Sequence, residues 1–231
     1  MLDLIKNNFS SYSRNARVYP ALISLTPIYL LTHTAINSIT DLNIYYNFLS
    51  NTLAIIVLLY ISADIVRNLG KIIENKIFTE GSPFPTTELL LYKNSKFSDE
   101  KKEEIRNKIL TNFSIALSSK EEESNNENIA RKRVNEAVGQ IRQQVGNGRL
   151  LLQFNIRYGF WRNLIGGSFI TIPFCCINII VYNWIFTDTI KLILSFMILL
   201  VFLVLYIVKK RILNFIGGQY AEQLYLEFLN S

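Results

Sequence analysis

The chain has 231 residues, of which 50% are hydrophobic and 18% are charged, and its formal net charge is +6. This length leaves room for one membrane domain and one small soluble domain, and it excludes a larger multidomain protein. The two cysteines, Cys175 and Cys176, are adjacent and poorly placed to bridge each other, which excludes a disulfide framework within the chain. The positive charge alone does not distinguish a nucleic-acid partner from anionic lipid.

Charged residues avoid four long apolar runs, which predicts an all-α membrane protein with four transmembrane helices in two hairpins. Residues 1–66 hold a helix at the membrane surface and the first hairpin, with spans at 18–40 and 42–63. Runs of this length match a hydrocarbon core of roughly 30 Å. Pro27 removes one helix hydrogen bond and predicts a kink in span 1.

A carboxylate and a base follow span 2. We expect Asp64 to form an ion pair with Arg67, about one helical turn further along. A ring of such carboxylates at the mouth of a pore is the alternative.

Residues 67–162 form the predicted cytosolic domain, which is small and mainly helical. Helical periodicity continues span 2 as far as Phe78. Thr86 is expected to cap a short helix, and Ser98 is expected to cap a longer one over 99–111.

The rest of this domain is predicted as a loop and two helices. The acidic segment 118–128 reads as an exposed, mobile loop, and residues 149–162 form an aromatic-rich helix that approaches the membrane. Between them, a helix has an apolar face made by Ile129, Val134, Val138, Ile141 and Val145.

The second hairpin, residues 163–208, contains spans 3 and 4, and residues 209–231 form a cytosolic C-terminal helix docked on the domain or on a neighbouring subunit. Span 4 is almost purely aliphatic and aromatic, which favours contact with lipid. Span 3 carries a polar face of Ser168, Thr171, Cys175, Asn178 and Tyr182.

Two interpretations of this polar face remain open. It forms hydrogen bonds between helices, with Gly166 and Gly167 allowing close approach, or Ser168, Thr171 and Asn178 line a pore.

The positive-inside rule orients all four spans. Basic residues cluster before span 1, after span 2, before span 3 and after span 4, whereas only Lys191 lies on the opposite side. Both termini and the central domain are therefore expected in the cytosol.

Five basic residues of the central domain are candidate ligand-binding residues: Arg131, Lys132, Arg133, Arg142 and Arg149. Arginines bind phosphate groups well through paired hydrogen bonds, so a phosphate-bearing ligand is one interpretation. A solvated face beside anionic lipid is the other.

Signatures of catalysis and of metal or cofactor binding are missing from the sequence. It has no GxSxG, HExxH, P-loop or CxxC motif, and His33 is its only histidine. We therefore expect no enzymatic activity, no cofactor and no metal site.

Two short strings, Gly81-Ser82-Pro83-Phe84-Pro85-Thr86-Thr87 and Arg157-Tyr158-Gly159-Phe160-Trp161-Arg162-Asn163, flank the central domain. With the two-hairpin layout, they resemble small four-span membrane effectors of bacterial antiphage defence systems of the Hailong type. The resemblance covers the architecture of most of the chain, and no ligand residue is carried over from it.

The resemblance implies a location in the bacterial inner (cell) membrane and control by a nucleotide or a short single-stranded nucleic acid. It also implies a nucleotidyltransferase encoded alongside as a partner. Such effectors open a conductance that stops the infected cell.

The sequence thus predicts a homo-oligomeric ion-conducting pore, a tetramer, that is gated through its cytosolic domain. Four thin spans in one subunit cannot enclose a water path, so the pore needs several copies. The alternative is a membrane-anchored sensor or scaffold that recruits a protein partner without conductance.

Overall fold

The computed structural model describes residues 11–37, 52–79, 83–146 and 148–231. Within these ranges every regular element is a helix, which confirms the predicted all-α class for the described part of the chain. The elements are α1 (Ser11–Ser13), a π-helical segment (Arg14–Val18), α2 (Tyr19–Ser24), α3 (Thr26–Asn37), α4 (Thr52–Thr79), α5 (Pro85–Glu88), α6 (Asp99–Phe113), α7 (Lys120–Asn125), α8 (Glu127–Val145), α9 (Arg149–Trp184), α10 (Thr189–Ile207) and α11 (Lys209–Leu229).

The chain divides into two compact units. The first unit comprises Met1–Glu74 and Gly159–Arg211, and the second comprises Asn75–Tyr158 and Ile212–Ser231. The boundaries fall inside α4, α9 and α11. The division expected from the apolar runs put them a few residues away, after residues 66, 162 and 208.

Two described helices are long and apolar enough to cross a membrane, namely α9 and α10. They correspond to predicted spans 3 and 4. The predicted surface helix and spans 1 and 2 lie partly outside the described residues. α4 does continue unbroken to Thr79, as its periodicity predicted.

The second unit is built around one hydrophobic core. α6 contributes Ile105 and Ile109, α8 contributes Val134 and Ile141, and α11 contributes the fully buried Phe228. The C-terminal helix therefore docks on this unit within the same chain. Ser98 caps α6 as predicted, because its hydroxyl accepts a hydrogen bond from the Lys101 amide.

Three expectations for this unit are wrong. The segment expected to be a mobile loop contains the helix α7, which begins with a capping box between Ser119 and Glu122. Thr86 does not cap the next helix, since α5 begins at Pro85 after Phe84. Ile129 is exposed, because α8 buries its small residues Ala130 and Ala137 in the core beside the predicted valines.

Candidate functional site: the buried polar stripe of the first unit

The polar face predicted on span 3 is a continuous buried stripe on α9. Its members are Ser168, Thr171, Cys175, Asn178 and Tyr182, and each is at most 1% exposed. A helix brings residues three or four apart onto one face, so the sequence spacing alone positions them. We call this set the polar stripe.

The polar stripe bonds to the N-terminal helices of the same unit. The Thr171 hydroxyl donates to the Ser24 carbonyl oxygen at 2.8 Å, and the Asn178 amide donates to the Pro27 carbonyl oxygen at 2.8 Å. The hydroxyls of Tyr182 and Thr34 lie 3.2 Å apart.

One turn before the stripe, Asn163 adds a further bond to the N-terminal helices. Its amide donates to the Ala16 carbonyl oxygen at 2.6 Å. From Asn163 to Tyr182 the partners rise in order from Ala16 to Thr34, so the N-terminal helices and α9 run in the same direction.

The N-terminal helices are interrupted where the stripe meets them. α2 ends at Ser24 and α3 begins at Thr26, one residue before Pro27, so the helix is interrupted next to the proline at which a kink was predicted. Pro27 has no N–H to donate to the Ile23 carbonyl, and the Thr26 hydroxyl donates to that oxygen at 2.9 Å instead. The break therefore leaves this carbonyl with a partner.

Two glycines allow α9 to pack backbone to backbone with its neighbours. A Cβ atom on Gly166 would lie 2.3 Å from the Gly70 nitrogen of α4, and one on Gly167 would lie 1.8 Å from the Ser24 hydroxyl oxygen. A larger residue at Gly166 would meet backbone atoms and push the helices apart, whereas one at Gly167 would meet the Ser24 side chain. This agrees with the predicted role of the pair in close approach.

An ion pair lies at the start of the uncharged part of α9. The Arg162 guanidinium donates to the Glu74 carboxylate and to the Asn163 side-chain oxygen, both at 3.2 Å. Both charged side chains are mostly buried, so the pair is desolvated. Through Asn163 it joins α4 and α9 to the π-helical segment that contains Ala16.

The three predicted pore-lining residues therefore share one face but do not face water in this conformation. Ser168, Thr171 and Asn178 are enclosed by helices of their own chain. Thr171 and Asn178 have the hydrogen bonds expected of interhelical packing. Two polar atoms, the Ser168 hydroxyl oxygen and the Asn178 side-chain oxygen, are buried without a hydrogen-bond partner among the described residues.

The predicted ligand-binding residues have separate neighbours in the second unit. Arg131 pairs with Glu127 at 2.6 Å, and Arg133 pairs with Glu122 at 3.3 Å. The Arg142 guanidinium lies 5.6 Å from the centre of the Tyr220 ring. Lys132 and Arg149 are exposed, on α8 and at the start of α9 respectively. Two of the five charges are thus already paired with carboxylates.

Sequence reasoning missed a buried charged cluster in the same unit. Lys102 and Arg106, on α6, are at most 8% exposed, and Glu123 lies 3.8 Å from the Arg106 guanidinium. The sequence pattern does indicate their burial, because both bases share the face of α6 that carries Ile105 and Ile109. Burial lowers the pKa of the Lys102 ammonium below its ordinary value.

This cluster holds the chain segments before and after α6. Arg106 donates to the carbonyl oxygens of Leu90 and Ser118 at 2.8 and 2.7 Å, and Lys102 donates to those of Tyr92 and Asn94. Each interaction satisfies a backbone acceptor that no regular helix satisfies. The cluster is structural.

Comparison of the chain with protein-family models, with curated proteins and with solved structures gives no match. Among the described residues, no group of three or more His, Cys, Asp or Glu side chains could hold a metal ion.

Proposed function

We propose that the protein is an oligomeric membrane effector that forms an ion-conducting pore, gated through its cytosolic helical unit by a nucleotide or oligonucleotide. The observation that carries this proposal is the continuity of α9. This single helix begins at Arg149 among residues of the second unit and ends at Trp184 after an uncharged run long enough to cross a membrane. A continuous helix can transmit a movement that a flexible linker would absorb.

Four spans with cytosolic termini are part of the proposal. The N-terminal helices run parallel to α9, as spans 1 and 3 must in two successive hairpins. Glu74 and Gly70 lie close to Arg162, and Val66 lies close to Gly166, so α4 is antiparallel to α9, as span 2 must be. Both directions support the predicted topology.

The pore is proposed to lie between copies of the chain, most simply in a tetrameric ring. α10 exposes apolar side chains along most of its length, including Met197, Leu200 and Val204, which suits lipid or a neighbouring copy. The polar stripe is closed within one chain, so a water path along Ser168, Thr171 and Asn178 requires rotation of α9 away from the N-terminal helices.

The regulatory ligand is proposed to be a phosphate-bearing nucleotide or short single strand. Arg142, Lys132 and Arg149 have no carboxylate partner among the described residues, and a ligand would compete with Glu127 and Glu122 for Arg131 and Arg133. A nucleotidyltransferase encoded alongside would supply such a ligand in bacterial antiphage defence.

Ion flux from liposomes that contain only this protein tests the proposal. We expect the vesicles to release a trapped ion, and we expect mass photometry in mild detergent to show an oligomer. Flux equal to that of protein-free vesicles, both with and without an added short oligonucleotide, or monomers alone, contradicts the pore.

The burial of the polar stripe within one chain favours a second candidate function. Because its hydrogen bonds are made within one chain, the stripe also suits a membrane-anchored sensor that recruits a protein partner without conductance. An oligomer that carries no ion flux would support this candidate.

A further inference from the structure

The depth of Asp64 follows from the antiparallel packing of α4 and α9. On α4, Glu74 pairs with Arg162, Gly70 meets the Arg162 carbonyl, and a Cβ atom on Gly166 would lie 2.8 Å from the Val66 carbonyl oxygen. Moving from Glu74 towards Ala63 therefore moves into the run of α9 that has no charged side chain from Asn163 to Thr187. Asp64 lies ten residues before Glu74, about 15 Å along the helix. With α4 as the proposed span 2, Asp64 is well inside the apolar layer rather than at its edge.

The Asp64 side chain points away from the rest of the chain. α4 buries Ala63, Val66, Gly70 and Ile73 against its neighbours, whereas the Asp64 side chain is 56% exposed. The next residue, Ile65, is also exposed. At this depth an exposed surface faces lipid or another copy of the chain.

Residues of the same chain satisfy the charge and hydrogen bonding of the Asp64 carboxylate only in part. Arg67 lies 3.5 Å from the carboxylate, which confirms the predicted ion pair, and the Asn68 amide donates to it at 3.1 Å. Both partners come from the same helix and leave more than half of the side chain uncovered. Arg67 is itself 29% exposed, so the carboxylate is the more accessible charge of the pair.

The Asp64 side chain cannot reach the cytosolic surface by extending along the helix. Helical side chains tilt towards the helix N-terminus, and the N-terminus of α4 lies on the side away from Glu74. The carboxylate is therefore directed deeper into the apolar layer, as is Arg67, which reaches back to it. Ionised side chains at such depth are found facing water or polar protein groups, because contact with lipid is costly.

We propose that Asp64 faces a water-filled path between copies of this chain and makes that path selective for cations. The proposal rests on the proposed function, since it requires a conducting oligomer. Repetition around the symmetry axis brings the Asp64 carboxylates to one level, each more exposed than the Arg67 that pairs with it. A ring of exposed carboxylates attracts cations and repels anions.

Thiol labelling tests whether Asp64 faces water. In a Cys175→Ala/Cys176→Ala background, reconstituted Asp64→Cys is exposed to a membrane-impermeant cationic methanethiosulfonate. Leu200→Cys is the matched control, because Leu200 is as exposed in the chain but lies on the aliphatic helix α10. We expect Asp64→Cys to react about tenfold faster or more, because thiols react as thiolates in water. Equal rates overturn the proposal, whether or not the wild type conducts.

Selectivity tests the role of the charge. In bilayers with a potassium chloride gradient, we expect Asp64→Asn to lower the cation-to-anion permeability ratio about fivefold or more, and Asp64→Glu to retain it. Glu104→Gln, which removes one exposed carboxylate from the second unit, is expected to leave the ratio unchanged. A conducting wild type with the same ratio in Asp64→Asn overturns this inference and leaves the pore intact, whereas absence of wild-type conductance contradicts the proposed function itself.

Discussion

The side-chain amide of Asn178 donates a hydrogen bond to the carbonyl oxygen of Pro27, 2.8 Å away and 151 positions earlier in the chain. The bond joins α9 to the N-terminal helices just after their interruption. It places a polar group of a membrane-type helix in the interior of the unit, where its contribution is to helix association.

Asn178→Leu is therefore expected to destabilise the first unit. Interhelical hydrogen bonds in membrane proteins contribute about 0.5–1.5 kcal/mol, so a fall of this size in the free energy of unfolding is predicted. Titration of the full-length protein with a denaturing detergent would measure it. Thr32→Val is the control, because the exposed Thr32 hydroxyl donates to carbonyls of its own helix. Unchanged stability together with reduced conductance would instead favour a pore-lining Asn178.

Gly166→Ala is expected to loosen the crossing of α4 and α9. The added methyl group meets the backbone of Gly70, which cannot rotate away as a side chain can. Overpacking of this kind costs about 1–3 kcal/mol. Gly139→Ala provides the matched contrast, since nothing lies within 4 Å of its Cβ position on α8 and alanine favours helix. The apparent Tm should fall for Gly166→Ala and stay level or rise for Gly139→Ala, and equal shifts would contradict the close crossing.

Glu123→Ala is expected to destabilise the second unit strongly. Its carboxylate accepts hydrogen bonds from the backbone amides of Tyr92 and Lys93 and lies beside the buried Arg106. Removing one partner of a buried charge cluster costs about 3 kcal/mol. Denaturant unfolding of the full-length protein would show the loss. Glu123→Gln should recover part of it, whereas the exposed Glu136→Gln should change little, and a loss of similar size in Glu136→Gln would refute the assignment.

Stability above pH 10 is expected to depend on Tyr225. Burial raises the pKa of this phenol well above its ordinary value of 10.0, and its hydroxyl donates to the Thr86 carbonyl oxygen. The contribution of this phenol to the free energy of unfolding is complete at pH values below its pKa in the unfolded state. Above it, the unfolded state releases the proton and the folded state keeps it, so the free energy of unfolding falls by about 1.4 kcal/mol per pH unit.

Tyr225→Phe provides the comparison for this pH dependence. The variant lacks the phenol, so its free energy of unfolding should decline less steeply between pH 10 and pH 11. Parallel declines in the two proteins would mean that Tyr225 does not titrate on unfolding.

Replacement of Arg131, Arg133 and Arg142 by Glu tests the proposed ligand surface. Wild-type binding of a labelled short oligonucleotide should weaken as salt is added, and the triple variant should not bind. Fluorescence anisotropy would measure both. Equal binding by wild type and variant would return these arginines to the role of a solvated surface.

The helices and the polar stripe could be predicted because they depend on local periodicity. The spacing of Thr171 and Asn178 determines that they share a face, and the cap at Ser98 depends on its own turn. These features require no knowledge of distant parts of the chain.

The partners of these residues could not be predicted. That Asn178 meets Pro27, or that Glu123 lies beside Arg106, depends on how remote helices pack. The same limitation explains the wrong loop prediction for residues 118–128, where acidic composition suggested exposure although Glu123 is buried by tertiary contacts. The depth proposed for Asp64 likewise rests only on the packing of α4 on α9.

The first turn of α9 forms a hydrogen bond with a residue that is synthesised much later. The Leu151 amide donates to the carboxylate of Glu227 at 2.9 Å, and the two residues are 76 positions apart. At about 5–20 residues per second, a ribosome needs roughly 4–15 s to synthesise this interval. Both apolar helices leave the ribosome before Glu227 and before the core residue Phe228. During synthesis, therefore, α9 and α10 are complete while the core of the second unit still lacks the end of its last helix.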